Sequence, residues 1–289
     1  MKKAAIFALL LLVAGTAGFS GSPPAAPDIA ARSTALRHQS TARLLEQRFP
    51  EPDLSYLLLD AKSGDLIAAH WENASQPVPM GSLLKPFTAL AYGEAHSFHY
   101  PEYVCWGQAG GCWRPRGHGR IGLTQAVAHS CNAYFRALAA QVPAEDLSAV
   151  LARYGVNVTD TTDSASAKIG VGKGWKVPPL EMARAYLALV SRSSDPGADD
   201  LAAGMLLSAS LGTGSAVDSA LGPPLAGARV KTGTAPCVHA HRLPGDGYAV
   251  VLYPAESPRF LLLVQVHGVP GSKAAVAAGR IMRAVLDGN

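Results

Sequence analysis

Apolar and polar positions alternate along this chain in two rhythms, and the changes of rhythm mark its elements. From Ile29 to Phe49, Ala and Leu recur at helical spacing among Arg and Gln, which predicts an amphipathic helix stopped by Pro50 and Pro52. Tyr56–Asp60 and Leu66–His70 are short apolar runs separated by Lys62-Ser63-Gly64-Asp65, the pattern of a β-hairpin. Helical spacing returns at Gly81–Ala95, at Thr124–Gln141 and, with Gly and Pro breaks, over most of 143–220. The chain then changes character. Ala228–Thr234, Gly247–Tyr253 and Arg259–His267 are short runs rich in Val, Leu and Tyr, divided by turn-forming segments, and predict three strands. Lys273–Leu286 reads as a closing amphipathic helix. Strands at both ends with helices between them predict an α+β fold: one antiparallel sheet built from both chain ends, with a helical region inserted.

Residues 1–21 carry a different pattern. Lys2 and Lys3 precede an unbroken small and apolar run from Ala4 to Ala14, followed by Gly15, Thr16, Ala17 and Gly18. A short positive region, an apolar stretch and small residues describe a secretory signal cut at Ala17 or just after it. The run reaches Phe19 at most, short of the roughly 20 residues of a spanning helix, although an uncleaved anchor is the alternative. Ser22–Pro27 is a Pro-rich linker, so the expected organisation is a signal at 1–21, linker and first helix at 22–50, and a catalytic domain at 51–289. The expected location is the periplasm or the outer face of the cytoplasmic membrane, with membrane contact only through the signal or anchor.

Composition narrows the function. With 48% hydrophobic and 16% charged residues among 289, the chain is neither disordered nor an acidic tail. The net charge of +4 comes with scattered arginines, so nucleic acid is not an expected partner. Cys105 and Cys112 lie seven apart in a Gly-rich stretch, and export predicts a local bridge between them. A zinc site there would need two further ligands at matched spacing; only His118 is near, and no metal is expected. Cys131 and Cys237 read as small core residues or free thiols. Gly170–Gly174 lacks the spacing of a phosphate loop, and His239 and His241 read as surface histidines. Trp106 and Trp113 read as packing beneath a long loop, with lining of the substrate cleft as the alternative.

Three short motifs carry the chemistry. In Ser82-Leu83-Leu84-Lys85, positions i and i+3 share a helix face, which brings a hydroxyl near an amine. A hydroxyl is a poor nucleophile at neutral pH, and a desolvated lysine can be neutral enough to take its proton. In Ser130-Cys131-Asn132, an extended turn would point the hydroxyl and the amide into one cleft. In Lys231-Thr232-Gly233-Thr234, at a strand, a positive charge and two hydroxyls suit an anionic group, and Gly233 leaves room for a substrate backbone. Each motif alone is weak. Ordered along one chain, 48 and then 101 residues apart, they reinforce one another.

With these three motifs the chain resembles the penicillin-binding protein and serine β-lactamase superfamily, whose signature is S-x-x-K, S-x-N and K-T-G. Tyr56–Asp65 resembles the strand and turn that open such transpeptidase domains. Gly117–Thr124 and Ser130–Phe135 are similar to the class B penicillin-binding pattern, and Pro179–Ala183 and Gly212-Thr213-Gly214 also fit. The resemblance implies a penicillin-binding transpeptidase domain without cofactor, acting on peptidoglycan stem peptides and acylated by β-lactams. It implies that Ser82 attacks a D-Ala-D-Ala amide or a β-lactam carbonyl while Lys85 takes its proton. Ser130 would pass a proton to the leaving nitrogen, supported by Lys231, and Asn132 would hold Lys85 and the substrate's side-chain amide. Thr232 and Thr234 would bind the substrate carboxylate, with the N–H groups of Ser82 and Thr234 as oxyanion hole.

Two departures qualify this. Only about 30 residues separate the signal from the catalytic domain, so the long pedestal usual in the elongation and division enzymes is not found there. No Glu-x-x-x-Asn loop lies between Gln141 and Lys173, and Val156 interrupts a class D-like Tyr154-Gly155, so a long-lived acyl-enzyme is expected. The alternatives are a class D-type β-lactamase with carboxylated Lys85, or a scaffold that binds β-lactams or muropeptides without turnover.

Overall fold

In the computed structural model, which describes residues 29–237 and 243–288, the chain opens with α1 (Ile29–Arg48), the hairpin β1 (Leu54–Asp60) and β2 (Leu66–His70), and β3 (Val78–Pro79). The inserted region runs through α2 (Lys85–Ala95), β4 (Tyr103–Cys105), β5 (Gly119–Ile121), α3 (Leu123–Ala128), α4 (Asn132–Ala139), α5 (Ala144–Arg153), α6 (Ala165–Lys168), β6 (Lys176–Val177), α7 (Pro179–Ser191), α8 (Ala198–Leu211) and α9 (Ala216–Leu221). The chain closes with β7 (Arg229–Ala235), β8 (Asp246–Tyr253), β9 (Phe260–Val266) and α10 (Gly271–Asp287). The signal, the linker, His239 and His241 lie outside the described residues. Among the described residues, no helix is long and apolar enough to cross a membrane.

The sheet joins the two ends of the chain as expected. Its order is β2-β1-β9-β8-β7, and every pairing is antiparallel, with Leu54 opposite Val266 and Asp60 opposite Phe260 where the termini meet. Side chains alternate between faces along each strand. Leu57, Leu59, Val250, Leu252, Leu261 and Leu263 face the inserted helices, in one core with Phe87, Phe135 and Tyr186. Tyr56, Leu58, Val251, Leu262 and Val264 face α1, α9 and α10, packing with Leu45, Val217 and Ile281. Both faces are covered, which is why these strands read as unbroken apolar runs. Each fully buried aliphatic side chain contributes about 1.5–3 kcal/mol relative to exposure.

Two helices begin or end differently from the sequence pattern. Gly81–Leu84 is a 3-10 turn that feeds into α2, so Ser82 sits on the turn and Lys85 opens the helix. The helix expected over Thr124–Gln141 is two helices. Ser130 has φ +49, its N–H bonds to Val127 O (3.1 Å), and the Cys131 N–H reaches back to Ala126 O (3.0 Å). These two bonds and the left-handed residue make a Schellman stop, with serine where glycine is usual. Periodicity could not reveal it, because the residues on either side continue the apolar spacing.

Candidate active site

The nucleophile turn is clamped from three sides. The Tyr186 hydroxyl, fully buried on α7, donates to Leu83 O at 2.9 Å. The Thr88 hydroxyl donates to Lys168 O at 2.7 Å, fixing the first turns of α2 against α6. On the third side stands β7, the edge strand of the sheet. Gly81 has φ +59, and a Cβ there would lie 2.5 Å from Thr234 O; one at Gly233 would lie 2.9 Å from Met80 O and 3.2 Å from the Ser82 nitrogen. The space that Gly233 leaves is therefore filled by the Ser82 turn, not held open for a substrate backbone as the sequence suggested.

Behind that turn, the structure brings the remaining motif residues together. Lys85 Nζ donates to Ser130 O (2.7 Å), Ser130 Oγ (3.2 Å) and Asn132 Oδ1 (2.6 Å). Lys231 Nζ donates to the same Ser130 Oγ at 2.9 Å and to Thr232 O at 2.6 Å. One hydroxyl thus bridges two lysine amines from opposite walls. Neither amine has a carboxylate among these partners, and both side chains are fully buried. Burial lowers Lys85 from the usual lysine value to about 7, with the Cys131 and Cys112 thiols opposing the shift and Arg136 adding to it. Burial, then repulsion from Lys85, holds Lys231 well below its usual value. Ser82 is half-buried; its carbonyl accepts from the Lys85 N–H, while its hydroxyl makes no hydrogen bond to Lys85 Nζ or to another of the described residues. Such bonds often tighten only with substrate bound.

The two threonines do different things. The Thr232 hydroxyl donates to Thr213 Oγ1 at 2.6 Å, and Thr213 N–H caps α3 through Ala128 O at 3.1 Å. Thr234 Oγ1 accepts from Gly271 N–H at 2.9 Å and keeps its own proton for another acceptor. Beside them lies a cleft of roughly 430 Å³ lined by Trp113, Arg114, His129, Thr213, Ser272 and Lys273. Trp113 is a wall of this cleft, half-exposed, its indole donating to His129 O and Ser130 O at 3.2 Å each. Trp106 is 72% exposed, so neither tryptophan is packed beneath the loop as expected. Motif reading gave Thr213 only as part of a family likeness and missed Tyr186; no local signal marks a core tyrosine as the clamp of a turn about 100 residues away in sequence.

The bridge expected between Cys105 and Cys112 is not formed, and Cys131 is not in a disulfide either. Both sulfurs instead approach His118 Nδ1, at 3.5 and 3.6 Å, and Cys112 also meets Cys131 at 3.8 Å.

A sheet made from both chain ends, with Ser-x-x-Lys at the foot of an inserted helix and Lys-Thr-Gly on the edge strand, defines the class that the motifs implied. The chain belongs to the penicillin-binding protein transpeptidase family, whose transpeptidase-domain model matches residues 54–287. Solved structures agree on the fold. PBP2 of Pseudomonas aeruginosa, solved with WCK 5153, superposes with a TM-score of 0.68 at 18% identity over 88% of this chain and 74% of that one. PBP2 of Helicobacter pylori, in complex with MreC, gives 0.68 at 17%, over 87% of this chain and 62% of that one. The D,D-transpeptidase domain of a peptidoglycan glycosyltransferase from Eggerthella lenta gives 0.66 at 16%, over 86% and 81%. No curated protein matches the chain.

Proposed function

We propose that the protein is an exported serine DD-transpeptidase or DD-carboxypeptidase that acts on D-Ala-D-Ala stem peptides and is acylated by penicillins. The observation that carries this reading is the single Ser130 hydroxyl held between Lys85 and Lys231. Ser82 Oγ attacks the carbonyl carbon of the scissile amide, and its proton passes to neutral Lys85. The C–N bond breaks as Ser130 gives its proton to the leaving D-Ala nitrogen, and the lysine pair restores that proton. An acceptor amine or water then attacks the ester and frees Ser82. β7 is an edge strand, with one row of backbone groups unpaired by the sheet, which supports Thr234 N–H and Ser82 N–H as donors to the oxyanion. Arg114 and Lys273 give the adjoining cleft a positive character suited to a terminal carboxylate. Export rests on the lysine-led apolar run at the N-terminus, which reaches the compartment where such peptides occur.

A carboxylated Lys85 fits this geometry poorly, because its carbamate oxygens would face Ser130 O and Asn132 Oδ1, which are themselves acceptors. The deciding experiment is intact-mass spectrometry of the mature protein with benzylpenicillin over time, beside Ser82→Ala. A persistent adduct on wild type alone is expected. An adduct that clears within seconds with hydrolysed drug would make the protein a β-lactamase, and no adduct on folded protein would leave a non-catalytic scaffold.

A further inference from the structure

Four side chains converge just behind the Ser130 turn. Cys105 ends β4, Cys112 follows the 3-10 turn Gly107–Gly110, His118 precedes β5, and Cys131 caps the start of α4. Their ligand atoms all lie within 4.8 Å of one another, and the three cysteines are buried. We propose that Cys105, Cys112, His118 and Cys131 form a structural zinc site that fixes the Ser130-Cys131-Asn132 turn.

Geometry is the first argument. Tetrahedral zinc holds sulfur at about 2.3 Å and nitrogen at about 2.0–2.1 Å, which places two sulfurs about 3.8 Å apart and a sulfur and a nitrogen about 3.6 Å apart. The corresponding pairs in the structure are 3.8 Å for Cys112 and Cys131, and 3.5 and 3.6 Å from Cys105 and Cys112 to His118 Nδ1. Three sulfurs and one imidazole nitrogen are a soft donor set that selects zinc, and four protein ligands close the site to water, as structural sites do. Core packing alone gives no reason for three thiols to gather around one ring nitrogen. The His118 ring is oriented by stacking on His129, with centroids 5.3 Å apart and planes 16° apart; its Nε2 is buried without a partner among the described residues.

The second argument is what the site would hold. β4 and β5 are three residues each, too short to secure their hairpin by pairing alone. Ser130 sits in a left-handed conformation that a serine keeps only when its surroundings over-determine it. A metal bound to Cys131 and to the hairpin ties the two together, alongside the Trp113 indole bonds to His129 O and Ser130 O. Ligation also accounts for three neighbouring thiols remaining unpaired in an oxidising compartment, an argument that rests on the export reading.

The test begins with elemental analysis of the full mature chain, where one zinc per molecule is expected. Cobalt(II) added to metal-free wild type should give the ligand-field bands of a tetrahedral site and a thiolate charge-transfer band. Cys105→Ser and Cys112→Ser should each lose the metal. His267→Ala should keep it, although Cys237, Asp246 and His267 form another grouping of ligand atoms. Removing zinc from wild type with a strong chelator should slow penicillin acylation by about tenfold or more, reversibly on adding zinc. That last arm depends on the acyl-serine reading, and the metal content does not. Zinc bound at one per chain with no acylation under any condition would sink the acyl-serine reading and leave the site standing. A folded wild type without zinc and without a tetrahedral cobalt spectrum, a disulfide among Cys105, Cys112 and Cys131, or metal retained by folded Cys112→Ser would overturn the site. Unchanged acylation in zinc-free, folded wild type would overturn its role in fixing the turn.

Discussion

The surroundings of the Ser130 hydroxyl and the short helix α6 both bury lysine side chains, and they surround them differently. Lys168 on α6 is 2% exposed and donates to Asp163 Oδ1 at 2.8 Å and to Val142 O, so its charge has a carboxylate partner that reaches solvent. Lys85 and Lys231 are equally buried, but their hydrogen bonds go to carbonyl, amide and hydroxyl oxygens. A buried ammonium without a counter-charge is costly, and the amine responds by losing its proton more easily. The same residue type is therefore paired with a carboxylate in one place and held below its usual pKa by burial in the other. The difference lies wholly in whether a carboxylate stands nearby.

Lys85→Met is the strongest way to break the comparison, because it keeps the length of the side chain and removes only the base. Penicillin acylation should fall by about a thousandfold, within the range that general-base groups supply. Stopped-flow or quenched mass measurements would show it, and acylation at more than a tenth of the wild-type rate would remove Lys85 from the role of base. Next in size is Ser130→Gly. It deletes the hydroxyl between the amines and relieves the left-handed φ of +49. Acylation should drop by about a hundredfold, while stability to urea rises by about 1 kcal/mol as the Schellman position receives the residue it favours. A loss of stability instead would mean that the Ser130 bonds to both lysines outweigh the backbone strain.

How much of this contrast was legible in the sequence depends on its physical origin. The sheet was legible, because β1, β8 and β9 are buried on both faces and so carry apolar runs that no loop would. The motif residues were legible as residue types in order. The partition of charge was not. Asp163 lies five residues from Lys168 and forms its pair, whereas Lys85 meets Ser130 and Asn132 across 45 and 47 residues of chain. Spacing alone cannot tell a lysine that will find a carboxylate from one that will find only neutral oxygens. The Ser130 stop was hidden for a related reason: left-handed backbone is set by how α3 and α4 must turn, and a serine there carries no sign of it. Cys131 was equally opaque, since its sulfur joins a hairpin that closes only in three dimensions.

A pH profile sharpens the same distinction. With burial lowering Lys85 to about 7, the acylation rate should climb roughly tenfold per unit below that value and level off above it, because the neutral amine is the reactive form. The charged or titratable groups facing it are Lys231, Arg136, His118 and the thiols of Cys112 and Cys131. A rate that stays flat from pH 6 to 10 would place the base elsewhere.

The smallest effects belong to α6, and they test the other half of the contrast. Lys168→Met removes a cation that touches no substrate, so acylation should be unchanged. Stability should stay within about 1 kcal/mol of wild type, because an apolar side chain of similar volume replaces an ion that had to be desolvated. Asp163→Asn is expected to be worse than Lys168→Met, since it leaves the buried ammonium in place and takes away its counter-charge. The sign with pH follows from the carboxylate. Lys168, through its hydrogen bond and its charge, holds Asp163 below the usual carboxylate value. The stabilisation is then complete above the unfolded carboxylate pKa of about 4 and is lost as the pH falls through the depressed folded value. Unfolding curves of wild type and Asp163→Asn should consequently differ at pH 7 and draw together in acid. Curves that stay parallel down to pH 3 would show that the carboxylate does not hold Lys168 in place, and would reduce the difference between the two buried sites to geometry alone.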